Sequence, residues 1–294
     1  MNKYAYKIYE AILSRPFRRD IVHKLYQVDE NKLADYFVDG FLYCKDIYEF
    51  INAAKFTPIK NLEIVGITEM DFRRVIRTAT RHLLTLDAIG DVSDLSILSE
   101  CEKLEKIRIS SLSNTAVLPN TENLSNLKEV RLSLDAVEIK NTEGLISDSI
   151  EEFAIDACSR TGLALTDAKI EDFSFLLRMP NLKKLTLMVQ PKENPYLDLV
   201  ALSKLTSLRE LKLPPDYFTK EEYAWLASKL PNTKGLDGCY CIRKDRQKDC
   251  IRYIMLGEHE DMILADDSRV EEYYKSFRAM VEEFKSWDTP PKRS

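Results

Sequence analysis

The chain has 294 residues, of which 45% are hydrophobic and 31% charged, and its formal net charge is −5. This composition is typical of a folded soluble protein and excludes a disordered chain of low hydrophobicity. The acidic balance, without any basic run, argues against nucleic acid as a partner. No uncharged stretch approaches the roughly 20 residues that a membrane-spanning helix needs, so no membrane contact is expected.

Residues 1–32 are predicted to form a helical amino-terminal cap. Tyr4, Ile8 and Ile12 recur at helical spacing, and Pro16 then breaks the pattern. The segment lacks the apolar block of a signal peptide, so we expect a cytoplasmic protein whose cysteines stay reduced.

A repeat organises the next two hundred residues. The pattern Leu-x-x-Leu-x-Leu, with other apolar residues allowed, recurs at intervals of 22 to 32 residues. The first position of each unit is taken by Leu33, Ile59, Arg81, Leu104, Leu127, Ile150, Leu182 and Leu208. Arg81 departs from the apolar pattern. The alternation that ends each unit is typical of a strand, so eight units predict a stack of strands.

A second pattern fills the segments before the strands. Asp94, Asp172 and Asp198 each precede a first position by ten residues, and apolar residues follow at every third position, as at Leu98 and Cys101. A period of three predicts short 3₁₀-like segments with one buried face.

These two patterns resemble the leucine-rich repeat family, in particular its short-period, internalin-like units. Residues 216–232 are similar to a segment of uncharacterised bacterial cytoplasmic leucine-rich repeat proteins. The resemblance covers residues 33–232 and implies an α/β fold, a right-handed solenoid of about eight units with a parallel concave sheet. Because one unit cannot bury its apolar face alone, such a stack needs a cap at each end.

Residues 233–294 are predicted to be an α+β carboxy-terminal cap. Before them, Thr219 and Glu222 form a capping box that starts a short helix. A hairpin is expected over 239–256, followed by a helix from Ser268 whose apolar stripe packs against that hairpin. Residues 289–294 contain two prolines and are expected to be a loose tail.

The sequence contains no glycine-rich phosphate loop, no nucleophile elbow and only three histidines. We therefore expect no enzyme, no cofactor and no metal. One alternative stays open: an enzyme or metal-dependent module in the carboxy-terminal cap, built from Cys239, Cys241, Cys250 and His259. The hairpin would have to place Cys250 opposite Cys241. Since the cysteine spacing is unusual for zinc, buried free thiols are the simpler interpretation.

The candidate binding residues lie on the outward positions of the central strands. They are Lys106, Arg108, Arg131, Asp87, Glu129 and Asp156. Arg108 and Arg131 occupy the same position on adjacent strands, about 5 Å apart, and would repel each other unless an acidic group lies between them. Glu129 and Glu152 supply that group internally in one interpretation, and an acidic or phosphorylated group of a partner supplies it in the other. Asp87 and Asp156 are expected to flank the arginines in an outer row.

The expected function is a non-enzymatic scaffold that binds another protein on the concave face. An inhibitor or immunity-type protein is one specific form, suggested by analogy of fold alone. Self-assembly through an exposed end of the stack is a further possibility.

Overall fold

A computed structural model describes residues 37–38, 41–42, 50–51, 54, 58–157, 170–190, 192–245, 250–257, 263–264 and 268–293. The chain divides into two compact units, residues 1–58 and residues 59–294. The predicted caps and repeat region, with their boundaries after residues 32 and 232, stay predictions.

The first unit contains a short antiparallel pair. Strand β1 (Phe37–Val38) pairs with strand β2 (Phe41–Leu42). The sequence pattern at Leu33 predicted a further parallel strand here, and this prediction is wrong for the described residues, because Val38 pairs locally with Phe41. Leu33 itself and the predicted helical cap lie outside the described residues.

The second unit is built on a seven-stranded parallel sheet. Its strands are β3 (Asn61–Thr68), β4 (Thr85–Asp91), β5 (Lys106–Val117), β6 (Glu129–Lys140), β7 (Glu152–Asp156), β8 (Lys184–Met188) and β9 (Glu210–Lys212). They lie in sequence order across the sheet, and each pair is parallel. All seven coincide with predicted strands. The described fold is therefore mixed α/β.

One face of this sheet is the core. Ten inward side chains of β4 to β9 are each at most 2% exposed: Leu86, Ile107, Ile109, Val130, Leu132, Phe153, Ile155, Leu185, Leu187 and Leu211. The residues between them are exposed or half-buried, as the alternation of a half-buried strand requires.

The unit around β4 has a different register from the predicted one. Leu86 pairs with Ile107, the middle apolar position of the next unit, and Leu83 is fully buried while Arg81 is exposed. Leu83, and not Arg81, is therefore the first position of this unit. The correction moves the outward positions of β4 by two residues.

The connections before the strands are successive tight turns, as the period of three predicted. Cys101 N–H donates to the Leu98 carbonyl and Leu104 N–H to that of Cys101, at 3.0 and 2.9 Å. Short 3₁₀ helices cover Ser96–Glu100, Thr142–Gly144 and Ser174–Arg178. The segment containing Asp198 is instead an α-helix, α2 (Tyr196–Ser203).

The sequence analysis did not predict helix α1 (Glu69–Ala79), which precedes α2 in the chain and follows β3. Its buried face consists of Phe72, Val75, Ile76 and Ala79, the spacing of an amphipathic helix. Thr68 caps its start by accepting a hydrogen bond from the Asp71 N–H. None of the described helices is long and apolar enough to cross a membrane.

The carboxy-terminal elements match their predictions in type. Helix α3 (Lys220–Lys229) begins with the predicted capping box of Thr219 and Glu222. Strands β10 (Cys239–Asp245) and β11 (Cys250–Met255) form the predicted hairpin, and β12 (Ile263–Leu264) adds a third antiparallel strand. Helix α4 spans Ser268–Phe284.

Helix α4 packs more widely than predicted. Tyr273 donates its hydroxyl to the Leu256 carbonyl at the end of the hairpin. The other end of the helix contacts α3, where the Trp225 indole N–H donates to the Trp287 carbonyl at 3.3 Å. Trp287, which lies beyond the last residue of the helix, is 40% exposed. The helix therefore bridges the hairpin and α3.

The predicted loose tail after Thr289 is held in place in its described part. Pro290 is buried. Arg293 binds the buried Glu222 carboxylate with Nε at 2.9 Å and Nη2 at 3.0 Å, and its Nη1 donates to the Glu193 carbonyl at 2.7 Å. This two-point ion pair ties the tail to the start of α3, which sequence spacing did not indicate because the partners lie 71 residues apart.

We predict that Arg293→Ala lowers the free energy of unfolding by about 2 kcal/mol, because Glu222 loses its counterion while it stays buried. Urea unfolding of the full chain measures this. The control is Lys292→Ala, the exposed neighbour, which should change stability by less than about 0.5 kcal/mol. Equal stability of the two variants would contradict the proposed anchoring of the tail.

Candidate functional site

The exposed face of the sheet aligns charged residues in two rows. Strand register places Lys106, Glu129, Glu152 and Lys184 side by side in the first row. Adjacent parallel strands lie about 4.8 Å apart, so neighbouring members of a row are within reach of one another. The sheet thus converts a sequence period into a line of charges in which two glutamates lie between two lysines.

The second row contains Asp87, Arg108 and Arg131. The predicted juxtaposition of the two arginines is confirmed. The prediction that Asp87 lies in an outer row is wrong, since the corrected register of β4 pairs it directly with Arg108. Asp156 does lie in the outer row, opposite Ser133.

Ion pairs connect the two rows. Glu129 Oε1 lies 2.8 Å from both Nε and Nη2 of Arg108 and 2.7 Å from Nε of Arg131. Arg131 Nη2 reaches Glu152 Oε2 at 2.8 Å. We call Lys106, Arg108, Glu129, Arg131, Glu152 and Lys184 the charged ladder.

The remaining contacts of the charged ladder are those of its two lysines. Lys184 Nζ donates to Glu152 Oε1 at 2.6 Å. Lys106 Nζ lies 3.8 Å from Glu129 Oε2, outside hydrogen-bond distance. The internal pairing considered from the sequence is therefore present in the structure.

The charged ladder is layered by depth. The side chains of Arg108 and Arg131 are 48% and 52% exposed, whereas that of Glu129 is 9% exposed. Carboxylates thus lie beneath the guanidiniums, and the cations face the solvent. Asp87 is exposed at the edge of this group. Partial desolvation raises the pKa of its carboxyl, the nearby Arg108 charge opposes this rise to a smaller extent, and the Glu129 charge adds to it.

Glu152 and Lys184 were not among the predicted binding residues. The repeat pattern could have identified them, because both occupy the same outward position in their units as Lys106 and Glu129. The hydrogen bond from Lys184, followed by that from Arg131, lowers the pKa of Glu152 below its ordinary value. A carboxylate with a lowered pKa stabilises the folded state above its unfolded pKa, and this contribution is lost as the pH falls through the folded pKa.

We predict that Lys184→Ala raises the pKa of Glu152 towards the ordinary value of about 4.3, because the strongest hydrogen bond to its ionised form is removed. A carboxyl-carbon NMR titration of the folded protein measures this value. Lys183→Ala is the matched control, since Lys183 pairs with Glu151 instead, at 2.9 Å. If both variants left the pKa of Glu152 unchanged, the role given to Lys184 would be wrong.

The cysteines of the alternative metal site are not brought together as expected. Cys241 pairs with Tyr253 in the hairpin, and Cys250 pairs with Asp245. The prediction that Cys250 lies opposite Cys241 is wrong. Four residues of strand separate the two positions, roughly 13 Å, which is too far for two thiolates on one zinc ion. His259 lies outside the described residues.

The thiols of Cys239 and Cys101 lie among side chains of the fold. The Cys239 thiol lies 2.6 Å from the Tyr274 hydroxyl. Cys101 is fully buried in the core, and burial raises the pKa of its thiol to about 12, so it stays protonated at neutral pH. Within the described part of the chain, no group of three or more His, Cys, Asp or Glu residues is arranged to hold a metal ion.

A buried polar cluster beside α2 also escaped the sequence analysis. Asp198, 1% exposed, accepts hydrogen bonds from the Phe173 N–H at 2.8 Å and the Tyr217 hydroxyl at 2.7 Å, and pairs with Lys192 at 2.9 Å. Burial, then the Asp198 charge, raises the pKa of Tyr217. The Asp198 carboxylate is satisfied by these partners, which indicates a structural role.

No protein-family model matches the chain, and no curated protein shows significant sequence similarity to it.

Proposed function

We propose that the chain is a non-enzymatic scaffold that binds another protein. In this proposal the sheet and its connections form a right-handed leucine-rich repeat solenoid, and the exposed face of the sheet is its concave binding surface. Repeat stacks use such extended faces to hold partners. The regular strand register, the buried apolar face of the sheet and the tight turns before β5, β6, β8 and β9 support this interpretation.

One observation carries the proposal: the charged ladder exposes its cations and covers its carboxylates. A face with no partner would gain nothing from two guanidiniums held about 5 Å apart and half exposed to solvent. Glu129 between them reduces their repulsion and holds both in a defined position. Positioned arginines lose less side-chain entropy when a partner's acidic group binds, so the internal pairing prepares the face for binding.

The binding test requires variants that keep the fold. Changing both arginines to alanine would leave Glu129 nearly buried without its counterions and would destabilise the protein. We therefore choose Arg108→Gln, Glu129→Gln and Arg131→Gln together, which removes the charges and leaves no unpaired buried carboxylate. Glu152 keeps Lys184 in this variant.

A matched control changes two cations and one carboxylate elsewhere. Arg74→Gln, Glu151→Gln and Lys183→Gln remove two exposed ion pairs, between Arg74 and Asp71 at 3.7 Å and between Lys183 and Glu151 at 2.9 Å, with the same change in net charge. The control should unfold within about 1 kcal/mol of the parent chain, because exposed ion pairs contribute little. The ladder variant should unfold within the same range, because replacing both signs of charge together leaves no nearly buried charge unpaired.

We predict that affinity capture from the native cells recovers a partner with the parent chain and the control variant but not with the ladder variant. For that partner, calorimetry should show a loss of at least about 2 kcal/mol in the ladder variant, since binding energy concentrates in a few central residues. Undiminished binding by a folded ladder variant would exclude this face as the binding surface.

The alternative module at the carboxy terminus has less support, because the hairpin register separates Cys241 from Cys250. We predict no stoichiometric zinc in the purified protein and no loss of structure on chelation. One equivalent of zinc per chain, lost together with folding when Cys239 and Cys241 become serine, would favour the alternative.

A further inference from the structure

The two arginines of the charged ladder are held differently. Arg131 contacts two carboxylates, Glu129 through Nε and Glu152 through Nη2. Arg108 lies within ion-pair distance of one carboxylate, and both of its close nitrogens share the single oxygen Oε1 of Glu129, while the charge of Asp87 on the adjacent strand acts on it from farther away. Release of Arg131 therefore breaks contacts with two partners, while release of Arg108 breaks contacts with one.

The oxygen that Arg108 uses is crowded. Three guanidinium nitrogens, two of Arg108 and one of Arg131, lie 2.7 to 2.8 Å from Glu129 Oε1. A carboxylate oxygen offers about two lone-pair positions, so three donors cannot all have good geometry. An incoming anion with two free oxygens would give Arg108 the parallel two-bond geometry that it lacks on Glu129.

A replacement cation for Glu129 is also present. Lys106 Nζ lies 3.8 Å from Glu129 Oε2, slightly beyond hydrogen-bond distance, and its side chain is 48% exposed. If Arg108 turns towards a ligand, Glu129 keeps Arg131 and can gain Lys106. The nearly buried carboxylate is therefore not left unpaired, which removes the main cost of the exchange.

The charges on this face favour a monoanion. In the three outward rows of β4 to β8, Lys106, Arg108, Arg131 and Lys184 oppose Asp87, Glu129, Glu152 and Asp156, so the charges there are balanced before a ligand arrives. A carboxylate adds one negative charge, whereas a phosphate monoester adds nearly two beside Asp87 and Glu129. The second charge has no cation of its own and is repelled by these carboxylates.

We propose that Arg108 is the ligand-binding guanidinium of the charged ladder, and that it exchanges Glu129 for a carboxylate of the partner protein. Arg131 stays on Glu129 and Glu152 and acts as a positioning residue. This inference rests on the proposed function for its biological meaning, but the exchange itself is a property of the free chain and can be measured without the partner.

The test follows the arginine Nε–H signals of the full chain by NMR, with ¹⁵N-labelled arginine. Arg108→Lys and Arg131→Lys assign the two signals. Sodium acetate stands in for a partner's carboxylate and methyl phosphate for a phosphorylated side chain, each titrated at pH 7.5 against sodium chloride of equal ionic strength to remove general screening.

We expect the Arg108 signal to shift and saturate with acetate, at a lower concentration than with methyl phosphate, while the Arg131 signal moves little. Lys106→Gln should weaken acetate binding about threefold, because Glu129 loses its replacement cation. Lys183→Gln is the control and should leave acetate binding unchanged.

Three outcomes would overturn the inference. They are a shift of Arg131 equal to or larger than that of Arg108, tighter binding of methyl phosphate than of acetate, and no saturable shift with either anion. Failure of the proposed function is a separate result: the capture experiment would then recover no partner that depends on the charged ladder, whatever the anion titration shows.

Discussion

Burial of the inward strand residues against the neighbouring units holds the larger unit together. A side chain such as Phe153 or Leu185 has its own connection on one side and the adjacent units on the others, so no strand could bury it alone. Each fully buried side chain of this kind contributes about 2 kcal/mol. Because the core packs against one face of the sheet, the alternate residues of each strand must face outward. The parallel pairing then sets them in straight rows whose neighbouring members lie about 4.8 Å apart.

The charged ladder is a consequence of this constraint. Opposite charges of the two rows can reach each other only because the core fixes the register of β5, β6 and β7. Glu129 is the central member, since it lies below the surface and contacts both arginines. Because its carboxylate contacts both guanidiniums, their mutual repulsion is reduced, and both stay half exposed to solvent. The same arrangement makes the two arginines unequal, because among the described residues Arg131 forms ion pairs with two carboxylates, Glu129 and Glu152, and Arg108 with Glu129 alone.

The carboxy-terminal end of the sheet depends on buried charges of another kind. Glu222 completes the capping box of α3 and also binds Arg293, which joins the last described residues to the start of that helix. Asp198 joins α2 to Tyr217 and Lys192 in the same way. Buried carboxylates are costly unless they are fully paired, so these contacts specify a single packing of the end elements. They hold the last elements against the end of the sheet, and none of the described contacts there involves a metal or a disulfide.

The sequence by itself determined the strand positions, their inward and outward faces, the tight turns before them and the capping box of α3. These features depend on periods of two and three residues or on neighbours three residues apart, so they are visible locally. Only the tertiary structure decided which of Arg81 and Leu83 begins the β4 unit, because apolar residues follow at the required positions in either register and only the pairing with β5 selects one. It alone placed Asp87 beside Arg108, separated Cys250 from Cys241, and joined Arg293 to Glu222. Each of these features depends on how segments distant in sequence pair with one another. Packing and hydrogen bonds between those segments determine the pairing, and the local pattern alone leaves it open.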